Sequence, residues 1–158
     1  MSKPTIYLGS DYMGFELKEK LKIYLKNKLN RKVEDMGPEK LTGEDDDAID
    51  YSIKVSRAVV KNKNHRGILI CQSGHGMCIT ANKIKGARAS IGYSVEGAEM
   101  LRLHDNGNIL CLAASAVNFA KASAIVKKFL ETDFKPLARR VRRLEKLKKL
   151  EIGELKIV

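Results

Sequence analysis

The chain lacks any apolar run long enough to cross a bilayer, and it lacks internal repeats and low-complexity tracts. A membrane span needs about 20 apolar residues, so an integral membrane protein of the helical kind is excluded. No signal-peptide core follows Met1-Ser2-Lys3-Pro4, so a cytosolic location is expected. Cysteine is scarce: Cys71, Cys78 and Cys111 form an odd set without metal-ligand spacing. That excludes a zinc module and argues against a disulfide framework. No aromatic-rich strand of the kind that stacks single-stranded bases is present.

What the chain does contain is 158 residues, 44% of them hydrophobic, enough for one domain with a real core. The whole of 1–158 is therefore read as a single domain. The net charge is +11, and part of the excess is local, because residues 135–149 hold eight basic residues and one acid. A positive field favours anionic ligands, either nucleic acid or phosphorylated metabolites.

Hydrophobic periodicity orders the elements. Thr5–Ser10 reads as a strand and Asp11–Asn30 as a helix with Phe15, Leu17, Leu21, Tyr24 and Leu25 on its apolar face. A short strand is expected over Lys32–Met36, a turn at Gly37-Pro38, an acidic loop over Glu44–Asp47 and a helix over Ile49–Lys61. Gly67–Cys71 is a fully apolar strand, as in parallel sheets covered on both faces. Gln72–Gly76 reads as a loop and Met77–Lys85 as a helix. Strand Ala87–Tyr93, helix Val95–Leu103, strand Asn108–Ala113 and helix Ala116–Leu130 follow. A basic helix over about 137–150 closes the pattern, with Leu137, Val141, Leu144, Leu147 and Leu150 on one stripe. The alternation predicts an α/β fold, a three-layer, Rossmann-like doubly wound parallel sheet. Ligands in such sheets bind beyond the C-terminal strand ends. That rule selects three segments, Gly9–Tyr12, Cys71–Gly76 and the loop around His104–Asn108. The polar segment His104–Asn108 leads into a strand rather than out of one, so it could act in a partner subunit's site.

Ser73-Gly74-His75-Gly76 lies between an apolar strand and a helix start. Backbone N–H groups of such a loop can hold a phosphate or a developing oxyanion. A plain tight turn explains the pattern equally well, but Cys71 sharpens it, since a thiol at this position can serve as base or nucleophile. Cys78 and Cys111 read instead as small buried hydrophobes. His104 could be solvated or could do acid–base work near neutrality. Arg139 and Arg143 are four apart on one helical face, where they could clamp one phosphate or simply face water.

The run Ile68-Leu69-Ile70-Cys71-Gln72-Ser73-Gly74-His75-Gly76-Met77-Cys78-Ile79-Thr80-Ala81-Asn82-Lys83 resembles the active-site signature of the type-B ribose-5-phosphate isomerases and their galactose-6-phosphate isomerase relatives. Gly9-Ser10-Asp11 with Gly14-Phe15, Arg102-Leu103-His104 with Asn108, and Arg139-Arg140-Val141-Arg142-Arg143 resemble the family's other motifs in order and spacing. The resemblance implies an aldose–ketose isomerase of carbohydrate metabolism, acting on a small sugar phosphate, with ribose 5-phosphate first among them. It implies a homodimer with active sites shared between subunits, and no metal or organic cofactor.

Residue by residue, the resemblance makes Cys71 the base between C1 and C2. Ser73 helps protons move between oxygens, and the N–H groups of Gly74, His75, Gly76 and Met77 stabilise the enediolate. Asp11 and His104 assist ring opening, Arg139 and Arg143 bind phosphate, and Tyr12, Asp105 and Asn106 complete the substrate shell. The chain departs from the family pattern at Tyr12 for histidine, Gln72 for glycine, Asp105 for asparagine, Ser115 for arginine and Asp47-Ala48-Ile49 for Asp-Tyr-Pro. These departures keep two alternatives open, a hexose-6-phosphate isomerase and a weakly active sugar-phosphate-binding subunit. From another class, the basic C-terminal helix suggests a nucleic-acid-binding module, which leaves Cys71, the glycine loop and His104 unexplained.

Overall fold

The computed structural model describes residues 4–156, so Met1, Ser2 and Lys3, on which the signal-peptide reading partly rests, lie outside the described residues. Five strands form one parallel sheet: β1 Thr5–Ser10, β2 Lys32–Asp35, β3 Arg66–Cys71, β4 Ala89–Ile91 and β5 Ile109–Ala113. Their order is β2-β1-β3-β5-β4. The helices are α1 Phe15–Asn27, α2 Ala48–Val59, α3 His75–Ala81, α4 Val95–Asp105, α5 Phe119–Glu131 and α6 Ala138–Glu151.

The alternation of side chains along β3 explains the layers. Ile68 and Ile70 join Ile6, Leu8, Leu110 and Leu112 on one face, where Leu17, Leu21 and Leu25 of α1, Ala98 of α4 and Phe129 of α5 cover them. Leu69 and Cys71 join Ile109 and Cys111 on the other face, beneath Val55 and Val59 of α2 and Met77 and Ala81 of α3. A strand buried on both faces must be apolar throughout, which is why Ile68–Cys71 carries no polar side chain. The expected Rossmann-like three-layer sheet is what the chain forms.

Several boundaries differ from the sequence reading. Helix α1 starts at Phe15, not Asp11, because the Asp11 carboxylate accepts the Gly14 N–H at 2.8 Å and closes a turn first. Helix α3 starts at His75 and stops at Ala81, where Asn82 turns its side chain to the backbone of Ala89. Strand β4 is correspondingly only three residues long. Helix α4 runs on to Asp105 before Asn106, at φ 47°, ends it. His104 and Asp105 therefore sit on a helical last turn rather than in a loop. Helix α5 begins at Phe119, with Asn118 as its cap.

Candidate active site

In the order β2-β1-β3-β5-β4, the chain turns one way from β1 and the other way to β3. The crevice beyond the C-terminal ends of β1 and β3 is thus the topological switch point, where ligands bind in open α/β sheets. Two of the three segments selected from the sequence meet there, and the third, His104–Asn108, does not. Ser10 is in register with Ile70, and the next residue, Asp11, donates its N–H to the Ile70 carbonyl at 3.2 Å. Asp11 and Cys71 therefore follow adjacent strand positions.

The local sequence holds this end tightly. A Cβ on Gly14 would lie 2.3 Å from the Ile70 carbonyl oxygen, so only glycine allows the Asp11–Gly14 turn to press against β3. Gly74 occupies the left-handed region at φ 77°, and its N–H donates to the Cys71 sulfur at 3.1 Å. Ser73, His75 and Gly76 are exposed around it, while the Met77 side chain is buried. The Ser52 hydroxyl donates to the Met77 carbonyl at 2.7 Å, tying α3 to α2. Ser115, at the end of β5, donates its hydroxyl to the Gln72 carbonyl at 2.7 Å and its N–H to the same oxygen at 3.1 Å. Burial raises the Asp11 carboxyl above its ordinary value, and the nearby Asp46 charge adds to this, while N–H donors from Gly14 and Met13 oppose it. Tyr12, half-buried, follows directly.

The remaining expected site residues lie elsewhere. Helix α4 runs from the C-terminal side of the sheet down to the start of β5, so its last residues are at the N-terminal side. Gly67 is in register with Ile109 and Cys71 with Ala113. The four-residue rise alone separates the two sides by roughly 13 Å. His104 and Asp105 are on the far side. Helix α6 is anchored there too, through Lys135 N–H to the Leu103 carbonyl at 3.3 Å and Gly86 N–H to Glu151 at 2.9 Å. Arg139 and Arg143 are exposed on α6, whereas Arg140 is buried and donates to the Lys135 carbonyl at 3.2 Å. Among the described residues, no hydrogen bond or ion pair links His104, Arg139 or Arg143 to Asp11, Cys71 or Ser73.

Other residues of the motifs build the scaffold. The Arg102 guanidinium is buried and donates to the Thr132 carbonyl at 3.1 Å, Asn106 Oδ1 at 2.9 Å and the Gly107 carbonyl at 2.6 Å. Burial, with Arg66 nearby, lowers it to about 10. The Asn106 carbonyl also accepts from Arg88 Nε at 2.9 Å. Asn82 bridges α3 to β4.

Lys18 was missed by the sequence reading. It is fully buried and gives its three ammonium protons to Glu19 at 2.8 Å, Asp35 at 2.7 Å and the Pro38 carbonyl at 2.8 Å. It thereby holds the 35–38 turn, whose Gly37 carbonyl accepts the Ser10 N–H at 3.1 Å. A lysine in helical phase with Leu21 and Leu25 was the available signal.

A sequence profile of the family described as "Ribose/Galactose Isomerase" matches residues 6–147. The chain is 37% identical over 148 residues to the "Probable ribose-5-phosphate isomerase B" of Mycoplasma genitalium, covering 93% of this chain and 95% of that protein. It is 32% identical over 151 residues to the ribose-5-phosphate isomerase B of Mycobacterium tuberculosis, covering 96% and 92%. The crystal structure of the Mycoplasma genitalium ribose-5-phosphate isomerase B with bound ribulose 5-phosphate superposes with a TM-score of 0.90 at 36% identity. That match covers 96% of this chain and 99% of that one. The Thermotoga maritima ribose 5-phosphate isomerase superposes with a TM-score of 0.86 at 37% identity, covering 94% and 99%.

Proposed function

The chain belongs to the ribose/galactose isomerase family, and from that membership we propose that it is an aldose–ketose isomerase interconverting ribose 5-phosphate and ribulose 5-phosphate. The observation that carries this reading is the placement of Cys71 at the switch point, with its sulfur on the Gly74 N–H and an exposed glycine loop beside it. Cys71 takes the proton from C2 of the open-chain aldose and returns it to C1. Ser73 relays the proton between O1 and O2. The N–H groups of Gly74, His75, Gly76 and Met77 face the developing enediolate, in the manner of an oxyanion hole. Asp11 and His104 open the sugar ring, and Tyr12, Asp105 and Asn106 line the sugar. Arg139 and Arg143 hold the phosphate. Residues 1–158 act as one catalytic domain, in pentose phosphate metabolism in the cytoplasm.

The working enzyme, in this reading, is a homodimer with shared sites. His104, Arg139 and Arg143 lie on the side of the sheet away from Cys71, so one chain cannot bring both sets to a single sugar. They can meet only if a partner presents its N-terminal side to the first chain's switch point. Helix α6 also leaves Val141, Leu147 and Leu150 partly exposed beside a groove of about 700 Å³ that Phe134 and Leu101 help to line. Among the described residues no helix is long and apolar enough to cross a membrane.

The test is turnover of ribose 5-phosphate against galactose 6-phosphate and other hexose 6-phosphates. Conversion of ribose 5-phosphate with higher kcat/KM than any hexose phosphate is expected. Turnover of hexose phosphates alone would move the chain to the galactose-6-phosphate branch, and no turnover of either would leave only sugar-phosphate binding.

A further inference from the structure

Lys18 is a fully buried cation that the proposed reaction does not use. Its ammonium donates to Glu19 at 2.8 Å, Asp35 at 2.7 Å and the Pro38 carbonyl at 2.8 Å. Lys22 joins the same two carboxylates at 2.7 and 2.6 Å, so two cations meet two anions and the charge of the cluster is balanced. The cluster grips the 35–38 turn. Asp35 accepts the Gly37 N–H at 3.0 Å, and the Gly37 carbonyl accepts the N–H of Ser10, the residue before Asp11, at 3.1 Å. The main chain of Lys18 reaches Asp11 from the other side. Its N–H donates to the Gly14 carbonyl at 2.9 Å, and the Gly14 N–H donates to the Asp11 carboxylate at 2.8 Å. One path runs through the ammonium and one through the backbone, and they close on Asp11 from before and after it in sequence. We infer that Lys18 is a positioning residue for Asp11, setting its carboxyl for the step that opens the sugar ring.

Only the ammonium path depends on the side chain. An apolar residue would suit this face of α1, where Leu17, Leu21 and Leu25 pack. It would offer no donor to Asp35 or to the Pro38 carbonyl, and the turn that holds Ser10 would lose its anchor on α1. A lysine at this position supplies three donors on a stem long enough to bridge the helix to the turn. The ring-opening role rests on the isomerase reading, whereas the positioning of Asp11 does not.

In ring opening the C1–O4 bond of the furanose breaks, O4 gains a proton, and the O1 hydroxyl loses one as the C1 carbonyl forms. A group that moves either proton sits within about 2.6–3.2 Å of its oxygen, so a carboxyl displaced by roughly 1 Å fails at this step. The later proton transfer belongs to Cys71, whose sulfur is held by the Gly74 N–H and not by the Lys18 cluster. Ribulose 5-phosphate enters at that later stage. Its O5 carries the phosphate and cannot close a ring onto C2, so the ketose is already open. Lys18 therefore matters for the cyclic aldose and not for the open-chain ketose.

The experiment compares two rates in the full chain: turnover of ribose 5-phosphate, and uptake of deuterium from heavy water at C1 of ribulose 5-phosphate. In Lys18→Met the first should fall roughly 100-fold, the cost of a misplacement of about 1 Å, while the second stays near the native rate. Asp11→Asn should show the same split, and adding Lys18→Met to it should slow turnover no further, because the two residues act as one unit. Cys71→Ala should lose both rates. If Lys18→Met does not fold, Asp35→Asn carries the same measurements, since it keeps an oxygen for the Gly37 N–H and gives up the ion pair. Equal losses in both rates, or losses that add in the double variant, make the cluster a general scaffold and overturn the assignment. The ¹³C resonance of the Asp11 carboxyl, identified by its absence in Asp11→Asn, reads the positioning without any sugar and should move in Lys18→Met. An unmoved resonance overturns the positioning. A moved resonance in a chain that shows neither rate keeps the positioning and sinks the isomerase reading instead.

Discussion

The backbone N–H of Gly74 donates to the Cys71 sulfur across 3.1 Å, at the point where β3 gives way to α3. Gly74 reaches this geometry in the left-handed region, at φ 77°. The donor fixes the sulfur at the mouth of the switch point, where a base for a carbon acid has to sit. Replacing Cys71 by alanine removes the proposed base and retains the turn. Turnover of ribose 5-phosphate should fall at least about 100-fold, the scale of a lost acid–base group. The thermal midpoint should change little, because only one sulfur is removed, at the C-terminal end of β3. A near-normal rate in Cys71→Ala would sink the cysteine mechanism.

Lys18 predicts a pH-dependent stability. Its ammonium is wholly buried between Glu19, Asp35 and the Pro38 carbonyl, so Lys18→Met leaves that carbonyl without its donor and Asp35 with Lys22 and the Gly37 N–H alone. Loss of about 3 kcal/mol is expected, the lower end for breaking a buried pair, since Lys22 remains. Burial by itself would raise the Asp35 carboxyl, but hydrogen bonds from Lys18 and Lys22 outweigh it and hold the group below its ordinary value. A lowered carboxyl contributes its full stability above the unfolded value of about 3.9 and loses it as the pH falls below. Chemical denaturation at pH 7 and pH 3 should therefore show the gap between the native chain and Lys18→Met narrowing at the acid end. An unchanged gap would mean that the pair does not carry the stability.

The contrast between Cys71 and His104 shows what a sequence can and cannot disclose here. Cys71, Ser73 and Gly74 are contiguous, and the strand before them is apolar on both faces, so the element, its burial and its site are legible together. His104 precedes Asp105-Asn106-Gly107-Asn108, whose composition reads as a loop. The helix nevertheless continues to Asp105, because the chain bends only where Asn106 takes a positive φ and Gly107 donates back to the Leu101 carbonyl at 3.0 Å. Lys18 was illegible for a different reason. Its partners Asp35 and Pro38 lie 17 and 20 residues away, and only the fold brings them to an apolar helix face. The division of the expected site between two ends of the sheet was legible from element order, because Cys71–Gly76 leaves a strand whereas His104–Asn108 leads into one.

That division makes a mixing experiment decisive. Cys71→Ala chains keep an intact His104, and His104→Ala chains keep an intact Cys71. Each homodimer should be poorly active. After subunit exchange, half of the sites in a mixed dimer carry both defects and half carry neither. Activity should recover toward a quarter of the native rate in an equimolar mixture, because half of the dimers are mixed and each holds one whole site. Verified exchange without recovery would place both residues' work within single chains, against the separation along β3 and β5.

Tyr12 and Asp105 carry the last prediction. The family resemblance places histidine and asparagine at these positions. Tyr12 follows Asp11 at the switch point, and Asp105 is exposed on the last turn of α4 beside His104. In the proposed two-chain arrangement the pair would face one sugar from opposite subunits. A phenol at position 12 removes a potential cation, and a carboxylate at position 105 adds a charge that repels the substrate phosphate. Each loss of a charge-assisted hydrogen bond costs about 1.5–3 kcal/mol. The exposed Arg139 and Arg143 offset part of that, with the overall charge of +11. Tyr12→His and Asp105→Asn should therefore each raise kcat/KM for ribose 5-phosphate, and the double variant should raise it further. The gain should shrink as salt is added, because it is electrostatic and the site is open to solvent. If both substitutions lower kcat/KM at every salt concentration, Tyr12 and Asp105 are matched to this chain's substrate. The phenol and carboxylate would then be hydrogen-bonding a sugar of different shape.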